Sequence, residues 1–414
     1  MTVASATASA TEAGSVEISD VPDRGRMRRE TGARLRAAMA DRGVDALVLL
    51  GNDAVTYATG TSWRLGDAGL SHVERPVAVV LADDPWPHVF PPFRDGCDSE
   101  LPADHVHGPL YLEFDEGVDH FARELAGLVP RTAVVAIDEC TGAMRRAQQQ
   151  LFPGRRPVDA AQLVSAAKLI KTADELSYIR AACRITERAM AGVQDVLAPG
   201  VRQMELSAHF LRAAFESGAD ASMVEPIWQV MPDSRHSGVW TTHGDLALPL
   251  LATGRELTAG DVLWTDVSIS HGGYCSAFGR TWIVGAAPTS RQQAQFRRWR
   301  EILSAMLDRT RAGATAGDLA RAATAANGRQ RPWLPHGYLG HGLGVSPAET
   351  PMIGTDLGAE FDENFAFEPG MVLVLEPMVW ADGTGGFRGK EVVVITEDGF
   401  LSLTDYPYAP YSEC

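Results

Sequence analysis

The chain has 414 residues, of which 45% are hydrophobic and 22% are charged, a composition typical of a globular protein with two or three domains. Its formal net charge of −16 excludes the basic surface that a nucleic-acid partner would need. No apolar run approaches the roughly 18 residues of a membrane span, and the five scattered cysteines, with no CxxC pair, are typical of a cytoplasmic protein.

The first 165 residues predict a tail followed by an α/β domain. Residues 1–25 lack the basic start and apolar stretch of a secretory signal, so we expect a disordered tail. Strands and helices then alternate through residues 26–165, which favours a mainly parallel sheet. The predicted helices are 26–42, 118–128 and 141–151, and the predicted strands are 46–50, 77–81 and 133–137.

Residues 166–414 predict a second domain of the α+β class, because helices and strands no longer alternate strictly. A long helix follows Lys171, where Thr172 can cap it and Asp174 and Glu175 suit its positive end. Another helix begins near Arg202. The remaining predicted helices are 291–311 and 316–327, and the predicted strands are 262–266, 274–284, 371–375 and 391–395.

Four residues of this domain form a candidate site: Asp266, His341, Glu376 and Glu391. Carboxylate oxygens with one imidazole nitrogen can bind Mn, Fe(II), Co or Zn. Glu376 and Glu391 lie in apolar strands, where an ionised carboxylate is costly unless a cation meets it. That cation is either a metal ion or a basic neighbour such as Arg388 or Lys390.

The phrases around these residues resemble the creatinase/aminopeptidase P/methionine aminopeptidase family. They are KTADELSYIRAA, AGDVLWTDVS, GGYCSAFGRTW, GHGLG, FEPGMVLVLEPM and GGFRGKEVVVITEDGFLSLT, and TYATG near residue 56 resembles the family's accessory domain. The resemblance implies a pita-bread catalytic domain, a creatinase-type N-terminal α/β domain and a homodimer.

The resemblance also implies a metal-ligand set that is incomplete in this chain. Metallopeptidases of the family hold two metals with two aspartates, one histidine and two glutamates, which Asp266, His341, Glu376 and Glu391 match in part. The second aspartate falls on Ala277. The site would therefore hold one divalent ion or none.

Two family histidines that handle the peptide substrate are missing as well. One corresponds to Ala348 and the other falls near Pro249, with His243 as the nearest candidate for a catalytic histidine. Ordinary Xaa-Pro peptidase activity is therefore not expected. The creatinase branch cleaves a C–N bond without metal, but its substrate-binding carboxylate is replaced here by Gly279, which disfavours creatine itself.

The sequence thus predicts a hydrolase that cleaves a C–N bond of a small polar molecule, with His341, Glu376, Glu391 and His243 as catalytic candidates. One alternative is a metal-free or mononuclear lyase resembling dimethylsulfoniopropionate lyases, and another is a binding protein whose catalytic centre has decayed. Arg388 and Lys390 either bind a substrate carboxylate or neutralise Glu391. The candidates for substrate binding are Arg388, Lys390, Tyr338, His336, Trp63 and Arg64.

Overall fold

A computed structural model describes residues 16–63, 73–93, 97, 100–231, 254–333, 337–354, 359–381 and 385–409. These residues form two compact units. The N-terminal unit is Ile18–Tyr178 with Gly272–Tyr274, and the C-terminal unit consists mainly of Ile179–His271 and Cys275–Cys414.

The N-terminal unit contains six α-helices and five strands among its described residues. Its first helix begins at Arg24, inside the segment expected to be a tail, and Asp23 caps it by accepting a hydrogen bond from the Arg26 amide. The elements are α1 (Arg24–Asp41), β1 (Ala46–Leu49), α2 (Asn52–Thr59), β2 (Val77–Leu81), β3 (His88–Phe90), a 3₁₀ helix (Ala103–His105), α3 (Asp115–Leu128), β4 (Val135–Ile137), α4 (Gly142–Arg146), α5 (Gln148–Leu151), β5 (Val158–Asp159) and α6 (Ala161–Lys168).

The five strands form one sheet in the order β3-β2-β1-β4-β5. Strand β1 pairs in parallel with β4, and β4 with β5, but the β1–β2 and β2–β3 pairs are antiparallel. The prediction of a mainly parallel sheet was wrong for the β1–β2 and β2–β3 pairs. Continuous apolar runs indicate burial on both faces, which a mixed sheet also provides, and they carry no information on strand direction.

The core of the N-terminal unit lies between this sheet and the helices that follow it. Alternate strand residues such as Val48 and Val79 pack with Val118, Phe121 and Leu125 of α3. These α3 residues recur at helical spacing, so one face of the helix is apolar and buried.

Every helix among the described residues is too short or too polar to span a membrane.

Helix α7 spans the point in the chain at which the N-terminal unit ends, and Thr172 forms the predicted cap at its start together with Glu175. The Glu175 amide donates to Oγ1 of Thr172 at 3.2 Å, and the Thr172 amide donates to the Glu175 carboxylate at 2.7 Å. The elements are α7 (Ala173–Gln194), α8 (Gln203–Glu216), β6 (Ala221–Val230), β7 (Val262–His271), β8 (Tyr274–Cys275), β9 (Phe278–Ile283), α9 (Ser290–Leu307), α10 (Ala316–Ala326), β10 (Gly340–Gly342), β11 (Glu349–Ile353), α11 (Ala359–Glu363), β12 (Val372–Leu375), β13 (Met378–Ala381), β14 (Gly385–Arg388), β15 (Glu391–Ile395) and β16 (Phe400–Ser402).

Three antiparallel sheets organise these strands. One has the order β11-β10-β12-β15-β16, the second joins β6, β7 and β8 with β9 paired to β7, and the third is the hairpin β13-β14. Helices α7 and α8 pack on the second sheet through apolar residues including Met190, Phe210 and Trp228. Helices and antiparallel sheets in this arrangement confirm the predicted α+β class.

Candidate active site in the C-terminal unit

Two sheets supply the residues of the candidate site. Asp266 lies in β7 of the second sheet, and the five-stranded sheet supplies His341 and Glu376. His341 lies in β10 opposite Val374 of β12, and Glu376 follows the end of β12. The Glu376 amide donates to the Leu339 carbonyl at 2.9 Å, which fixes the residue beside the histidine. Nε2 of His341 lies 3.8 Å from Oε1 of Glu376, and both side chains are almost fully buried.

Two cations lie against the two acids. Nζ of Lys390 is 2.8 Å from Oδ1 of Asp266 and 3.5 Å from Oε2 of Glu376. The Arg388 guanidinium donates a hydrogen bond to the same Glu376 oxygen and lies 3.6 Å from Oδ2 of Asp266. It also stacks 4.4 Å above the Trp264 ring. Two buried carboxylates and two buried cations therefore form a neutral cluster.

Gly279 provides the space that Lys390 needs. A Cβ at position 279 would lie 2.9 Å from Cγ of Lys390 and 3.3 Å from its Cδ. The Lys390 amide donates to the Gly279 carbonyl at 2.9 Å. Arg280 donates to the carbonyls of Gly279 and Lys390, as well as to Tyr406 and Pro407, so its role is structural. These contacts hold the lysine backbone beside Asp266.

Glu391 lies on the opposite side of its strand, and the structure does not bring it to this cluster. Successive residues of a strand point to opposite faces, so the direction that places Lys390 against Asp266 turns Glu391 away. Its carboxylate accepts hydrogen bonds from the hydroxyls of Ser402, Thr404 and Tyr408. Arg388 and Lys390 thus neutralise Asp266 and Glu376, and not Glu391, which the sequence analysis offered as one alternative.

The charges in the cluster hold one another ionised. Burial would raise the pKa of Glu376, but the positive charges of Arg388 and Lys390 outweigh it and lower that pKa to about 2. Burial would lower the pKa of Lys390, but Asp266 and Glu376 reverse the effect and raise it. Burial lowers the pKa of His341, with the Glu376 charge acting in the opposite direction. At neutral pH Glu376 is therefore anionic, Lys390 is cationic and His341 is neutral.

The hydrogen bonds of His341 fix its tautomer. Nδ1 lies 2.8 Å from the Gly342 carbonyl, which can only accept, so Nδ1 carries the proton. Nε2 of the neutral ring then presents a lone pair toward Glu376. Oε1 of Glu376 is buried and has no hydrogen-bond partner among the described residues. Two acceptors 3.8 Å apart therefore face a position that only a hydrogen-bond donor or a cation can satisfy.

The residues of this cluster do not fit a bound divalent ion. Lys390 and Arg388 already neutralise both acids, so a further two positive charges would be buried without counterions. Glu391 binds hydroxyls elsewhere, and the buried methyl group of Ala277 stands where the family has a second aspartate. Among the described residues, the remaining oxygen and nitrogen donors at this point are too few for the ligand set expected from the sequence.

The other predicted site residues have different positions. Tyr338 is half-buried, with its ring edge-on to His341 at 5.1 Å between centroids, and burial followed by the Glu376 charge raises its pKa. Trp63 is buried in the N-terminal unit, where its indole nitrogen has no partner among the described residues. Arg64, His243 and His336 lie outside the described residues.

A different group of potential metal ligands lies in the N-terminal unit. One ligand atom each from Asp84, His88 and His105 lie within 4.8 Å of one another. Burial, with the neighbouring His105 and His107, lowers the pKa of His88 to about 4. Sequence reasoning missed this group because its residues come from a turn, a strand and a 3₁₀ helix and share no familiar spacing.

The second feature that the sequence analysis missed is the packing of Gly279 and Trp264 around the two cations. The sequence did carry one signal of this packing, namely the glycine at position 279 where the resemblance implies a carboxylate. A glycine there leaves space beside the strand, and the Lys390 side chain occupies that space. The three hydroxyls around Glu391 gave no such signal, since they come from separate positions after β15.

Comparisons with known proteins support a family assignment. Residues 177–397 match the sequence profile of metallopeptidase family M24, and residues 33–170 match that of the creatinase/prolidase N-terminal domain. The chain is 26% identical over 405 residues to a creatinase from Bacillus sp. (strain B-0618), covering 92% of this chain and 91% of the creatinase.

Two further similarities concern dipeptidases. The chain is 26% identical over 377 residues to the probable dipeptidase PepE of Mycobacterium bovis, covering 90% of this chain and 93% of the relative. The crystal structure of dipeptidase PepE from Mycobacterium ulcerans superposes with a TM-score of 0.73 at 21% identity, covering 95% of this chain and all of the other, which shows a shared fold.

Proposed function

The chain belongs to metallopeptidase family M24 and has its pita-bread fold, and on that premise we propose that it hydrolyses a C–N bond of a small polar molecule without a metal ion in the catalytic cluster. Its relatives include a creatinase and a probable dipeptidase. The substrate class and the absence of a catalytic metal are the parts that we infer from the site itself.

The observation that carries the proposal is the buried Oε1 of Glu376, which has no hydrogen-bond partner among the described residues and lies 3.8 Å from Nε2 of His341. A water molecule between them would donate one hydrogen to each. This orients a water lone pair toward the substrate and places a neutral imidazole to accept its proton, which is general-base catalysis. Glu376, ionised by its two cationic neighbours, stabilises the imidazolium that forms.

Atoms balance in a hydrolytic cycle built on these groups. The water oxygen bonds to the carbon of the C–N bond while its proton passes to Nε2 of His341. The C–N bond then breaks, and the same proton moves from His341 to the leaving nitrogen. Lys390 and Arg388 stabilise negative charge that develops near the attacked carbon, because fixed buried cations require little reorganisation.

Two features favour a small molecule over a peptide. Ala277 and Ala348 stand where the family's peptidases have a metal ligand and a histidine that contacts the substrate. The catalytic role of His243 and the substrate contacts of Tyr338, His336, Trp63 and Arg64 remain predictions from the sequence, as do a cytoplasmic location and a homodimer.

The proposal is tested by screening chelator-treated protein against small amides, ureas, guanidino compounds and Xaa-Pro dipeptides, with amine release as the measurement. We expect turnover of a small compound that persists in EDTA and falls by about 10²–10⁴-fold in His341→Gln. His209→Gln, an exposed histidine of α8, is the matched control and should keep full activity.

The mechanism is tested by running the reaction in ¹⁸O-labelled water. Incorporation of the label into the product supports hydrolysis, whereas a product without label indicates the lyase alternative. Activity that appears only after a divalent metal is added would contradict the metal-free cluster. If no compound is turned over but one binds, and His341→Gln leaves that binding intact, the protein is the decayed binding protein instead.

A further inference from the structure

A cluster of acids and histidines in the N-terminal unit has no part in the proposed reaction. Asp84 lies in the turn between β2 and β3, His88 is the first residue of β3, and His105 ends the 3₁₀ helix. A parallel bridge between Val89 and Val106 holds these two segments side by side. The fold therefore brings three potential ligands from separate points of the chain to one place.

The side chains converge on one oxygen. Oδ1 of Asp84 accepts a hydrogen bond from the Trp86 amide at 2.9 Å, which leaves Oδ2 free to face the histidines. Oδ2 lies 3.8 Å from Nε2 of His88 and 3.7 Å from Nε2 of His105. The two imidazole rings are stacked, with 4.1 Å between their centroids and 9° between their planes. Both rings therefore present the same nitrogen to the same carboxylate.

Hydrogen-bond direction identifies the nitrogen of His88 that faces this carboxylate. Nδ1 of His107 lies 3.4 Å from the Glu124 carboxylate, which only accepts, so this nitrogen carries the proton. Nε2 of a neutral His107 must then accept the hydrogen bond from Nδ1 of His88, at 3.1 Å. With Nδ1 of His88 donating to His107, Nε2 of His88 is the ring nitrogen that faces Oδ2 of Asp84 and is available to bind a cation.

We propose that Asp84, His88 and His105 bind a divalent transition-metal ion of the zinc type, with water as the fourth ligand. Two imidazole nitrogens and one carboxylate oxygen are a zinc ligand set, and ligand atoms in a tetrahedral zinc site lie about 3.3 Å apart because each bond is about 2.0 Å long. Oδ2 of Asp84 lies about 0.5 Å farther than this from each nitrogen, and all three ligand atoms lie within 4.8 Å of one another, so binding requires a small approach of the ligands and a turn of the stacked rings toward the ion.

The surroundings match those of zinc sites in two further respects. The chain from His88 through His107 to Glu124 orients a ligand histidine through its second nitrogen, as carboxylates commonly do in such sites. The Asp84 and His105 side chains keep 25% and 12% of their surface exposed, so an ion and its water ligand have access. Binding joins the β2–β3 turn to the 3₁₀ helix and stabilises the N-terminal unit.

The test is a titration of the full-length, chelator-treated protein with Co²⁺, whose visible absorption reports tetrahedral coordination, and with Zn²⁺ by calorimetry. We expect one equivalent of either ion to bind and the melting temperature to rise. Asp84→Asn and His105→Ala should each abolish stoichiometric binding, and Asp84→Asn does so while keeping the oxygen that accepts from the Trp86 amide. Glu124→Gln should weaken binding by about 10–100-fold.

Two variants serve as controls. His120→Gln removes an exposed histidine that contacts Glu124 at 3.4 Å without facing Asp84, and it should bind zinc like the original protein. His341→Gln, in the catalytic cluster, should also bind normally. No cobalt spectrum, unchanged binding by Asp84→Asn and His105→Ala, or loss of the spectrum in His341→Gln alone would each overturn the proposed site.

Discussion

Replacing Lys390 by methionine should destabilise the C-terminal unit by about 3–5 kcal/mol, the range for breaking a buried ion pair by removing one partner. Methionine keeps most of the side-chain volume but leaves Asp266 and Glu376 with a single counterion. The pKa of Glu376 agrees in direction, because it falls from 4.5 to about 2 although burial alone would raise it, so the positive charges outweigh the effect of burial.

The assay is urea unfolding followed by tryptophan fluorescence, with midpoints compared because two units need not unfold in one step. Arg212→Gln is the control, since its ion pair with Glu216 is exposed and should contribute less than about 1 kcal/mol. Adding Asp266→Asn to Lys390→Met should restore part of the lost stability by removing the uncompensated charge. A Lys390→Met midpoint equal to that of the control, without rescue by the second substitution, would refute the charge cluster.

Three further outcomes follow from the same geometry. Gly279→Ala should displace the Lys390 side chain and reduce turnover more than stability, measured as kcat beside the unfolding midpoint, because its Cβ would lie 2.9 Å from Cγ of the lysine. Glu391→Gln should lower stability by about 1–3 kcal/mol through its hydroxyl partners while leaving KM unchanged; a selective loss of catalysis would place it in the site after all. The pKa of Glu376 is lowered, so the stability that its charge contributes is complete above pH 4.5 and is lost as the pH falls toward 2. Acid unfolding of Glu376→Gln should therefore show a shallower loss of stability between pH 4.5 and 2. Equal slopes for the variant and the original protein would contradict an ionised Glu376.

The fold was predictable because strong local signals agreed with one another. Thr172 and Glu175 mark the start of α7, and the apolar face of α3 gave its position within a few residues. Strand direction was less predictable, since β2 returns antiparallel to β1 although its apolar run is equally continuous. Whether two strands pair parallel or antiparallel depends on the length and packing of the segment that connects them. The residues of the strands themselves do not encode that segment.

Three of the four residues of the candidate site were predicted from the sequence, but Glu391 was misplaced and the pairing of charges was not predicted. Asp266, His341 and Glu376 were identified through the phrases around them, and the structure brings them together. Lys390, and not Glu391, faces Asp266 and Glu376 because the two neighbouring residues point to opposite faces of the strand. A shift of the strand by one residue would bring Glu391 to the cluster and turn Lys390 away. Sequence similarity at that point cannot resolve a one-residue difference, whereas the packing of Gly279 against the lysine stem does.

The most direct test of the metal-free cluster is anomalous diffraction from crystals grown with manganese or zinc. We predict no anomalous peak within about 3 Å of the Glu376 carboxylate, with Nζ of Lys390 in contact with Asp266 and Glu376. A peak bridging Asp266 and Glu376, with the lysine displaced, would contradict the proposed chemistry. A peak at Asp84, His88 and His105 bears only on the separate zinc site.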